Sequence, residues 1–240
     1  MYHRMMKVSL IIPAYNEEKY IGACLKAVIQ NAPDIYEIIV INNGSTDTTS
    51  EIVSTFANVR QFNESKKGIT CARQRGFVEA TGDVIAYIDA DTRMPHGWYE
   101  TLTTQFTNNS HLVCLSGPYV YYDQGSFQQF LVHLYWYVAI PIYRAIGFMV
   151  VGGNFAIRKE VLEKMKGFDT TISFYGEDTN IARRASRFGH VQFNMKFVMY
   201  TSARRLQREG FWRVGYVYVV NFISEALLHK PYTTTYNDIR

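Results

Sequence analysis

Two aspartates, Asp89 and Asp91, stand one residue apart directly after an apolar run over residues 84–88. Side chains at positions i and i+2 of an extended segment point the same way, so both carboxylates can approach one ligand. Hard oxygen ligands of this kind favour Mg²⁺ or Mn²⁺, and the phosphates of a substrate commonly complete such a site. Taken alone, the short and common motif is explained more simply as a strand-end cap followed by a helix cap.

The segments around this pair alternate between strands and helices. Apolar runs predict four strands, over residues 7–13, 37–42, 58–62 and 84–88. Helical spacing predicts two helices, over about 17–30 and 68–80. This alternation is typical of an α/β fold with a parallel sheet between helices. Ligands of such sheets bind beyond the carboxyl ends of the strands. Asn16, Asn43 and Asp89 fall at such ends, so we expect them to converge on one crevice.

The second half of the chain is less regular. Residues 112–122 and 191–200 each read as one strand, and a helix-like stretch covers 210–228. The spacing of apolar residues predicts the buried faces of two helices. One is formed by Ile21, Leu25, Val28 and Ile29 in the first half, and the other by Ile181, Ala182, Ala185 and Phe188 in the second. Because the sequence contains no linker, repeat or low-complexity tract, we expect one domain over residues 1–240.

Composition excludes several classes of protein. The 240 residues are 48% apolar and 19% charged, which suits a folded core and argues against disorder. The net charge of +4 permits an anionic ligand without demanding nucleic acid, and we expect no nucleic-acid partner. Three widely spaced cysteines, Cys24, Cys71 and Cys114, form no CxxC pair, so we interpret them as buried thiols of a protein in a reducing compartment.

Several motifs in a fixed order resemble the inverting glycosyltransferases of family 2. The motifs are PAYNEE at 13–18, NNGSTD at 42–47, the Gly-led helix and aspartate pair over 68–91, VGGNFAIRKEVLEKMKGFD at 151–169 and YGEDTNIARR at 175–184. The resemblance covers nearly the whole chain. It implies a GT-A fold, with a Rossmann-like, mostly parallel sheet flanked by helices and a mixed acceptor-side half. Residues 1–110 would then bind a nucleotide sugar, and residues 111–240, with a C-terminal helix, would bind the acceptor.

The resemblance also implies a donor site, composed of Pro13, Ala14, Tyr15, Glu17, Asn43, Arg73, Asp89, Ala90 and Asp91. The backbone at Ala14 and Tyr15, with Glu17, would lie against the nucleoside. Arg73 would face the base or the diphosphate, where its fork of donors suits anionic oxygens. Asp89 would contact ribose or metal-bound water, and Asp91 would hold Mn²⁺ or Mg²⁺.

One departure from the family pattern affects the donor base. Family members usually have Asp-Asp-Gly-Ser where this chain has Asn42-Asn43-Gly44-Ser45. The aspartate before the glycine typically accepts a hydrogen bond from the base, and Asn43 can both accept and donate. A UDP-sugar is therefore favoured, and a GDP-sugar stays open.

The resemblance places the catalytic base at the start of a helix, where Glu177 and Asp178 match the family's Glu-Asp motif. Asp178 would deprotonate the acceptor hydroxyl, and Glu177 would contact or orient the acceptor. Stabilisation of the helix N-terminus by both acids is the alternative, and the two roles are compatible. Gly153 and Asn154 would lie near the sugar or acceptor, or else form an ordinary turn.

Further basic residues and histidines are weaker candidates. Arg204 and Arg205 would contact the diphosphate, by analogy with basic residues in the distal part of the family. Their surroundings lack the QxxRW motif of processive synthases, which argues against polymerisation. No third protein ligand for the metal is assigned. His190 and His229 are candidates by residue type only, and each is more simply explained as a surface histidine.

Two aromatic-rich segments, 127–148 and 211–228, allow two interpretations. They could complete the apolar core and form a lid over the acceptor, or they could be interfacial helices with tyrosine and tryptophan at headgroup depth. Polar and charged residues interrupt both segments, so neither reads as a full membrane span. We expect a cytoplasmic protein, with peripheral contact to the inner face of the cytoplasmic membrane under the second interpretation.

The sequence thus predicts a metal-dependent inverting glycosyltransferase of the hexosyltransferase type. Its acceptor would be a hydroxyl group of a glycan or lipid-linked molecule, in the synthesis of cell-surface polysaccharide or glycolipid. A nucleotidyltransferase is one alternative, although PAYNEE is not the Gly-rich, Arg/Lys-containing loop that such enzymes carry after the first strand. A non-catalytic module that binds sugar nucleotides is the other.

Overall fold

The computed structural model describes residues 6–172 and 174–233. The strands of these ranges are, in chain order, β1 (Val8–Ala14), β2 (Glu37–Asn42), β3 (Val59–Asn63), β4 (Val84–Ile88), β5 (Thr92–Arg93), β6 (Leu112–Ser116), β7 (Tyr119–Tyr121), β8 (Asn154–Arg158), β9 (His190–Phe193) and β10 (Met199–Thr201). The helices are α1 (Ile21–Asn31), α2 (Thr49–Ser54), α3 (Ile69–Glu79), α4 (Trp98–Asn108), α5 (Ser126–Ile146), α6 (Lys159–Lys164), α7 (Glu177–Ala185), α8 (Arg204–Glu209) and α9 (Phe211–Leu228).

A central sheet of seven strands has the order β3-β2-β1-β4-β8-β6-β9. The strands β1 to β4 run parallel to one another, and β8 runs antiparallel between β4 and β6. The sheet therefore continues across residue 110, because a strand from the second half of the chain pairs with β4 from the first. The predicted α/β class and mostly parallel sheet are confirmed.

The first strand shows why helices cover both faces of this sheet. Every residue of β1 is buried, so successive side chains must meet apolar partners on opposite faces. Leu10 belongs to one apolar cluster with Ile21 and Leu25 of α1. Ile11, its neighbour, belongs to a second cluster with Ala72 of α3. The carboxyl ends of β1, β2 and β4 consequently lie side by side at one edge, where the polar segments follow.

A second sheet of three strands corrects two predictions. Residues 112–122 and 191–200 were each expected to form one strand, but each forms two, and the later piece of each joins the order β5-β10-β7. Pro118 cannot donate a ladder hydrogen bond. At the break, the Asn154 side chain donates to the carbonyl oxygens of Gly117 and Phe197, at 3.1 and 2.7 Å. Because β5 begins directly after Asp91, this sheet fixes the backbone of that residue.

Two residues assigned to inward helix faces lie outside. Ile29 is 37% exposed, and Cys24 takes the fourth buried position of α1 instead. Phe188 is 45% exposed, because α7 ends at Ala185 and the chain turns before reaching it. All three cysteines are free and buried, as predicted. Within the described ranges, no helix combines the length and apolar character needed to cross a bilayer.

Candidate active site

The turns after β1 and β2 are tied together at the edge of the sheet. Asn16 adopts a left-handed backbone conformation, with φ of 51°. Its side-chain oxygen accepts a hydrogen bond from the backbone N–H of Thr46 at 2.9 Å, and its own N–H donates to Ser45 Oγ at 3.0 Å. The N–H of Glu17 donates to Thr49 Oγ1 at 2.8 Å. These bonds fix the floor of the crevice that the sequence predicts.

Asn43 already uses its side-chain amide within the protein. Its Nδ2 donates to the carbonyl oxygens of Glu64 and Lys66, each at 2.9 Å, and its Oδ1 accepts from the N–H of Gly68 at 2.9 Å. The residue is 6% exposed. Asn43 therefore organises the segment that leads into α3, and only the second lone pair of Oδ1 is left for a donor base.

The other residues expected near a nucleoside lie at the rim of the crevice, where β1 ends, or are buried beneath it. Pro13 and Ala14 are buried in β1 and contribute backbone only, and Ala90 is 3% exposed between the two aspartates. Tyr15 lies beyond the strand, where Lys67 Nζ is 4.8 Å from its ring centroid and 3.2 Å from its hydroxyl. Tyr15 and Lys67 thus supply an aromatic surface with an adjacent positive charge.

Asp89 and Asp91 have different partners. Asp89 Oδ2 accepts a hydrogen bond from the Tyr119 hydroxyl at 3.2 Å, and its Oδ1 lies 3.5 Å from Arg73 Nη2. Asp91 Oδ2 lies 2.8 Å from Nε of Arg204. The Asp89 side chain is 33% exposed and that of Asp91 is 11% exposed. Asp89 is the more open of the two carboxylates, while Asp91 is covered by an arginine from α8.

Arg73 is buried beneath the crevice, and its expected contact with the base or the diphosphate stays a prediction. Its side chain is 2% exposed, and its Nη1 lies 2.5 Å from Glu177 Oε1 while its Nη2 approaches Asp89. The guanidinium carbon lies 5.6 Å from the ring centroid of Phe155, in cation–π contact. Arg73 is thus a buried link between the aspartate pair and the start of α7.

Glu177 and Asp178 begin α7 after a glycine that the backbone requires. Gly176 has φ of 81°, and an added Cβ there would also lie 3.3 Å from Cβ of Pro231. Burial raises the pKa of Glu177 to about 7 against the opposing effect of Arg73, and the charge of Asp178 adds to the rise. Burial also raises the pKa of Asp178, although the N–H of Thr179 donates to its Oδ1 at 2.7 Å and opposes that shift.

Two tyrosines from separate helices are close enough to Asp178 for its charge to affect their pKa. Burial raises the pKa of Tyr135 in α5 and of Tyr218 in α9, and in each case the negative charge of Asp178 adds to the shift. Asp178 therefore lies where α5, α7 and α9 approach one another. Neither tyrosine was singled out from the sequence, because aromatic residues at helical spacing resemble ordinary core.

The glycine pair before β8 allows a close approach that larger residues would prevent. A Cβ at Gly153 would overlap the Tyr119 hydroxyl and the Asp89 carboxylate, and one at Gly152 would crowd Glu177 Oε1. The pair therefore lies between the aspartate pair and the start of α7. Whether Gly153 contacts a sugar is untested by this geometry and stays a prediction.

Asn154 has a structural role in the core. It is fully buried, and its Oδ1 accepts a hydrogen bond from Trp98 Nε1 at 2.9 Å while its Nδ2 donates to the two carbonyl oxygens at the strand break. The side chain therefore holds the two sheets together, and its expected role as a sugar or acceptor contact stays a prediction.

The two arginines of α8 also differ from each other. Arg204 pairs with Asp91 and with Glu17, whereas Arg205 Nη1 lies 2.8 Å from Glu209 Oε1 and its guanidinium lies over the ring of Phe174. Arg204 thus contacts two of the expected donor residues, Glu17 and Asp91. His190 and His229 are both exposed, in agreement with their simpler interpretation.

Glu225 is a site residue that sequence reasoning missed. It is fully buried in α9, where its Oε1 accepts hydrogen bonds from Asn180 Nδ2 at 2.9 Å and Arg183 Nη2 at 3.0 Å. These bonds join α9 to α7, which carries Glu177 and Asp178. A lone acid within the apolar stretch 211–228 was the available signal, since such a residue requires a buried partner.

Five carboxylates converge in this crevice, from Glu17, Asp89, Asp91, Glu177 and Asp178. Two guanidinium groups, Arg73 and Arg204, contact four of them, so negative charge stays in excess even with Glu177 protonated. A divalent cation fits this donor set. In the part of the chain that the structure describes, no group of three His, Cys, Asp or Glu could hold a metal ion, so Asp89 and Asp91 would need further oxygen ligands from a bound substrate.

Sequence comparisons identify related proteins. A family model described as Glycosyl transferase family 2 matches residues 9–166, more than half of the chain. The probable glycosyltransferase YdaM of Bacillus subtilis (strain 168) is 30% identical over 205 residues, which cover 78% of this chain and 48% of that protein. The chain thus spans about half of that relative's length.

Two solved structures share the fold. A mannosyltransferase from Pyrobaculum calidifontis in complex with GDP-Man and Mn²⁺ has a TM-score of 0.68 at 18% identity, covering 94% of this chain and 65% of that one. Glucosyl-3-phosphoglycerate synthase from Mycobacterium tuberculosis, in complex with Mn²⁺, UDP-Glc and phosphoglyceric acid, has a TM-score of 0.64 at 20% identity, covering 92% and 80%. The predicted GT-A fold is confirmed.

Proposed function

The chain belongs to glycosyl transferase family 2, and from this premise we propose that it transfers a sugar from a nucleoside diphosphate donor to an acceptor hydroxyl with inversion at the anomeric carbon. One observation carries the proposal. The buried guanidinium of Arg73 contacts Asp89, from the expected donor half, and Glu177, from the expected acceptor half. The two sets of residues that such a transfer needs are therefore held together around one crevice.

In the proposed reaction, Asp178 accepts the proton of the acceptor hydroxyl as that oxygen bonds to the anomeric carbon of the donor. The bond from that carbon to the diphosphate breaks, and the diphosphate leaves with the electron pair. Burial favours this role because it raises the pKa of Asp178 and makes the carboxylate a better proton acceptor. Glu177, fixed by Arg73, would orient the acceptor.

Asp91 and Asp89 would hold Mn²⁺ or Mg²⁺ together with oxygens of the donor. When bound, the cation supplies positive charge that offsets the charge on the departing diphosphate. The negative excess of the crevice supports this assignment. Tyr15 and Lys67 at the rim would lie against the nucleoside.

The contacts of Asn43 bear on which base the donor carries. We favour a UDP-sugar and keep a GDP-sugar as the alternative, because the amide of Asn43 can present only its remaining lone pair to a base. The related structures hold both kinds of nucleotide, GDP-Man in one and UDP-Glc in the other. The acceptor would be a glycan or a lipid-linked molecule, in the synthesis of cell-surface polysaccharide or glycolipid.

A panel of UDP- and GDP-sugars tests the donor site by thermal shift and by release of nucleoside diphosphate, with and without Mn²⁺ or Mg²⁺. We expect one sugar nucleotide to raise the Tm in the presence of a cation, because a ligand that binds only the folded state stabilises it. Asp91→Asn should remove that shift. Glu160→Gln is a matched control, since this acid is exposed and pairs only with Lys164 on the surface of α6.

Three outcomes separate the alternatives. Stabilisation by no sugar nucleotide, with or without cation, would contradict the proposal. Binding without turnover in the presence of acceptors would favour the non-catalytic module. Release of sugar 1-phosphate with transfer of the nucleoside monophosphate, instead of release of nucleoside diphosphate with transfer of the sugar, would favour nucleotidyl transfer.

We also propose that α5 and α9 bring the protein to the surface of a membrane. Each helix has a stripe of exposed apolar side chains: Phe130, Leu134, Tyr137, Val138 and Ile142 in α5, and Trp212, Tyr216, Val219, Ile223 and Leu227 in α9. Helix α5 contains no acid, and Glu225, the acid of α9, is buried. Exposed Arg213 and Lys230 lie beside the second stripe. Apolar stripes with adjacent cations suit an anionic lipid surface.

A further inference from the structure

Arg204 is held between two carboxylates on the donor side of the crevice. Its Nη1 and Nη2 lie 2.9 and 2.5 Å from the two oxygens of Glu17, and its Nε lies 2.8 Å from Asp91 Oδ2. The guanidinium also lies 4.8 Å from the ring centroid of Tyr20. The side chains of Arg204, Glu17 and Asp91 are 14%, 1% and 11% exposed. Water and salt therefore screen these contacts much less than they screen a surface ion pair.

The backbone that carries Arg204 is anchored beside Asp91. Thr201 of β10 pairs with Thr92 of β5, and the N–H of Ser202 donates to the carbonyl oxygen of Asp91 at 3.2 Å. Asp123 accepts hydrogen bonds from Ser202 Oγ at 2.6 Å and from the N–H of Ala203 at 2.7 Å. The Arg204 side chain therefore starts from a fixed point, and its contact with Asp91 can break without movement of the backbone.

A cation on Asp91 and the guanidinium of Arg204 would compete for the same carboxylate. Both are positive, and Nε of Arg204 already occupies Oδ2 at hydrogen-bonding distance. A guanidinium and a divalent cation a few ångströms apart in a partly buried site repel each other, because little water screens the two charges. The cation must therefore displace Arg204 or bind more weakly.

We propose that Arg204 is the resident counter-ion of Asp91 and that it makes binding of the divalent cation conditional on the donor diphosphate. The inference rests on the proposed function, which assigns Asp91 to the cation. The two edges of the guanidinium have different roles. The fork toward Glu17 stays in place, because that carboxylate is almost fully buried and is costly to leave without its partner. The contact between Nε and Asp91 breaks when diphosphate oxygens offer the guanidinium another anion.

Binding of Mn²⁺ to the protein, followed by the electron paramagnetic resonance signal of the free ion, tests this directly at low salt. Without nucleotide, Arg204→Gln should bind Mn²⁺ about tenfold more tightly than the parent, because one competing positive charge is gone. UDP or GDP should tighten Mn²⁺ binding strongly in the parent and much less in the variant. Arg208→Gln removes the same charge from an exposed position of the same helix and should resemble the parent.

The double variant Glu17→Gln/Arg204→Gln covers the case in which the single variant does not fold, because it neutralises Glu17, the more deeply buried of the two carboxylates that pair with Arg204. It should still bind Mn²⁺ more tightly than the parent, because Asp91 is released, but by less than the single variant, because the negative charge of Glu17 is lost. If folded variants bind Mn²⁺ no more tightly than the parent without nucleotide, the counter-ion role is wrong. Tightening of Mn²⁺ by UDP or GDP in the parent would still support the proposed donor site. If neither the parent nor the variants bind Mn²⁺ under any of these conditions, both proposals fail.

Discussion

At the scale of single residues, Arg73 has the least replaceable position in the crevice. Its guanidinium contacts carboxylates from both halves of the chain and is almost completely shielded from water. A buried ion pair contributes little compared with a well-packed apolar pair, but removal of one partner leaves the other charge uncompensated. The consequence is a residue whose loss should affect folding before it affects chemistry.

Arg73→Met should lower the free energy of unfolding by about 3–5 kcal/mol, because Glu177 and Asp89 would lose their shared counter-ion. Urea denaturation measures this loss. Arg75→Met is a matched control on the same helix, where Arg75 forms a partly exposed pair with Glu79 and lies over the ring of Phe62, and it should cost about 1 kcal/mol or less. The double variant Arg73→Met/Glu177→Gln should recover part of the loss. A loss equal to that of Arg75→Met would show that the buried link does not stabilise the protein.

The proposed base predicts a pH dependence with a definite sign. Asp178 accepts a proton only when it is ionised, so kcat/KM should fall as the pH drops through its pKa. Burial raises that pKa, so the acidic inflection should lie above the ordinary aspartate value of about 4. Asp178→Asn should lower kcat/KM by about 100- to 10,000-fold and abolish this inflection. Glu177→Gln is the control, because Glu177 also has a raised pKa. If Glu177→Gln loses the acidic inflection and Asp178→Asn retains it, Glu177 is the base and Asp178 orients the acceptor.

The sequence predicted residue types at this scale better than it predicted their contacts. The aspartate pair and the Glu-Asp helix start are recognisable because their order along the chain is characteristic. The position of Arg73 under the crevice is not recognisable, because an arginine on a helix gives the same pattern whether it points toward a ligand or toward a buried acid. The same holds for Asn154, whose three side-chain hydrogen bonds depend on two strand breaks that local sequence does not encode.

At the scale of elements, short connections determine where the functional groups lie. The parallel strands were predictable from their apolar runs, because both faces of the central sheet are covered. The breaks within 112–122 and 191–200 were not, because each stretch keeps a strand-like pattern across the break. Each stretch is divided because its two pieces pair with different strands. The first pieces, β6 and β9, belong to the large sheet, and the second pieces, β7 and β10, belong to the small one.

The turn before β8 allows a test of close approach. Gly153→Ala should weaken binding of the sugar nucleotide and lower the free energy of unfolding by about 1–3 kcal/mol, because the added Cβ forces apart the Asp89 carboxylate and the Tyr119 hydroxyl. Calorimetry of donor binding and urea denaturation measure the two effects. Gly215→Ala is the control, since a Cβ there meets open space in the interior of α9. The free energy of unfolding of Gly215→Ala should rise by about 0.5–1 kcal/mol. A similar rise for Gly153→Ala would contradict the steric argument.

At the scale of the whole molecule, one sheet joins the two halves that the sequence suggested. Strand β8 lies between β4 and β6, and the apolar cluster on one face of the sheet includes both Leu10 from the first half and Phe197 from the second. A single domain over residues 1–240 stays a prediction, and residues 1–5, 173 and 234–240 lie outside the described part of the chain.

Attachment to a membrane is a property of the assembled surface. The double variant Phe130→Glu/Trp212→Glu should lose binding to vesicles of phosphatidylglycerol and phosphatidylethanolamine without a change in Tm, because both side chains are mostly exposed, at 61% and 79%. Cosedimentation at low and high salt measures binding, which should weaken as salt screens the basic residues. Val78→Glu changes an equally exposed residue of α3 and should bind as the parent does. Equal binding by all three proteins, or by none, would exclude these stripes as the contact.

The ion pair between Glu17 and Arg204 joins residues that are 187 positions apart in the chain. During synthesis, the strands β1 to β4 leave the ribosome before the later elements and can begin to pair, yet the arginine that pairs with Glu17 and Asp91 emerges 187 residues after Glu17. Contacts of such long sequence separation also form slowly, because a large loop must close before they stabilise anything. A nascent chain therefore carries an acidic, incomplete crevice until Arg204 has left the ribosome, and the proposed dependence of cation binding on the donor diphosphate requires that residue.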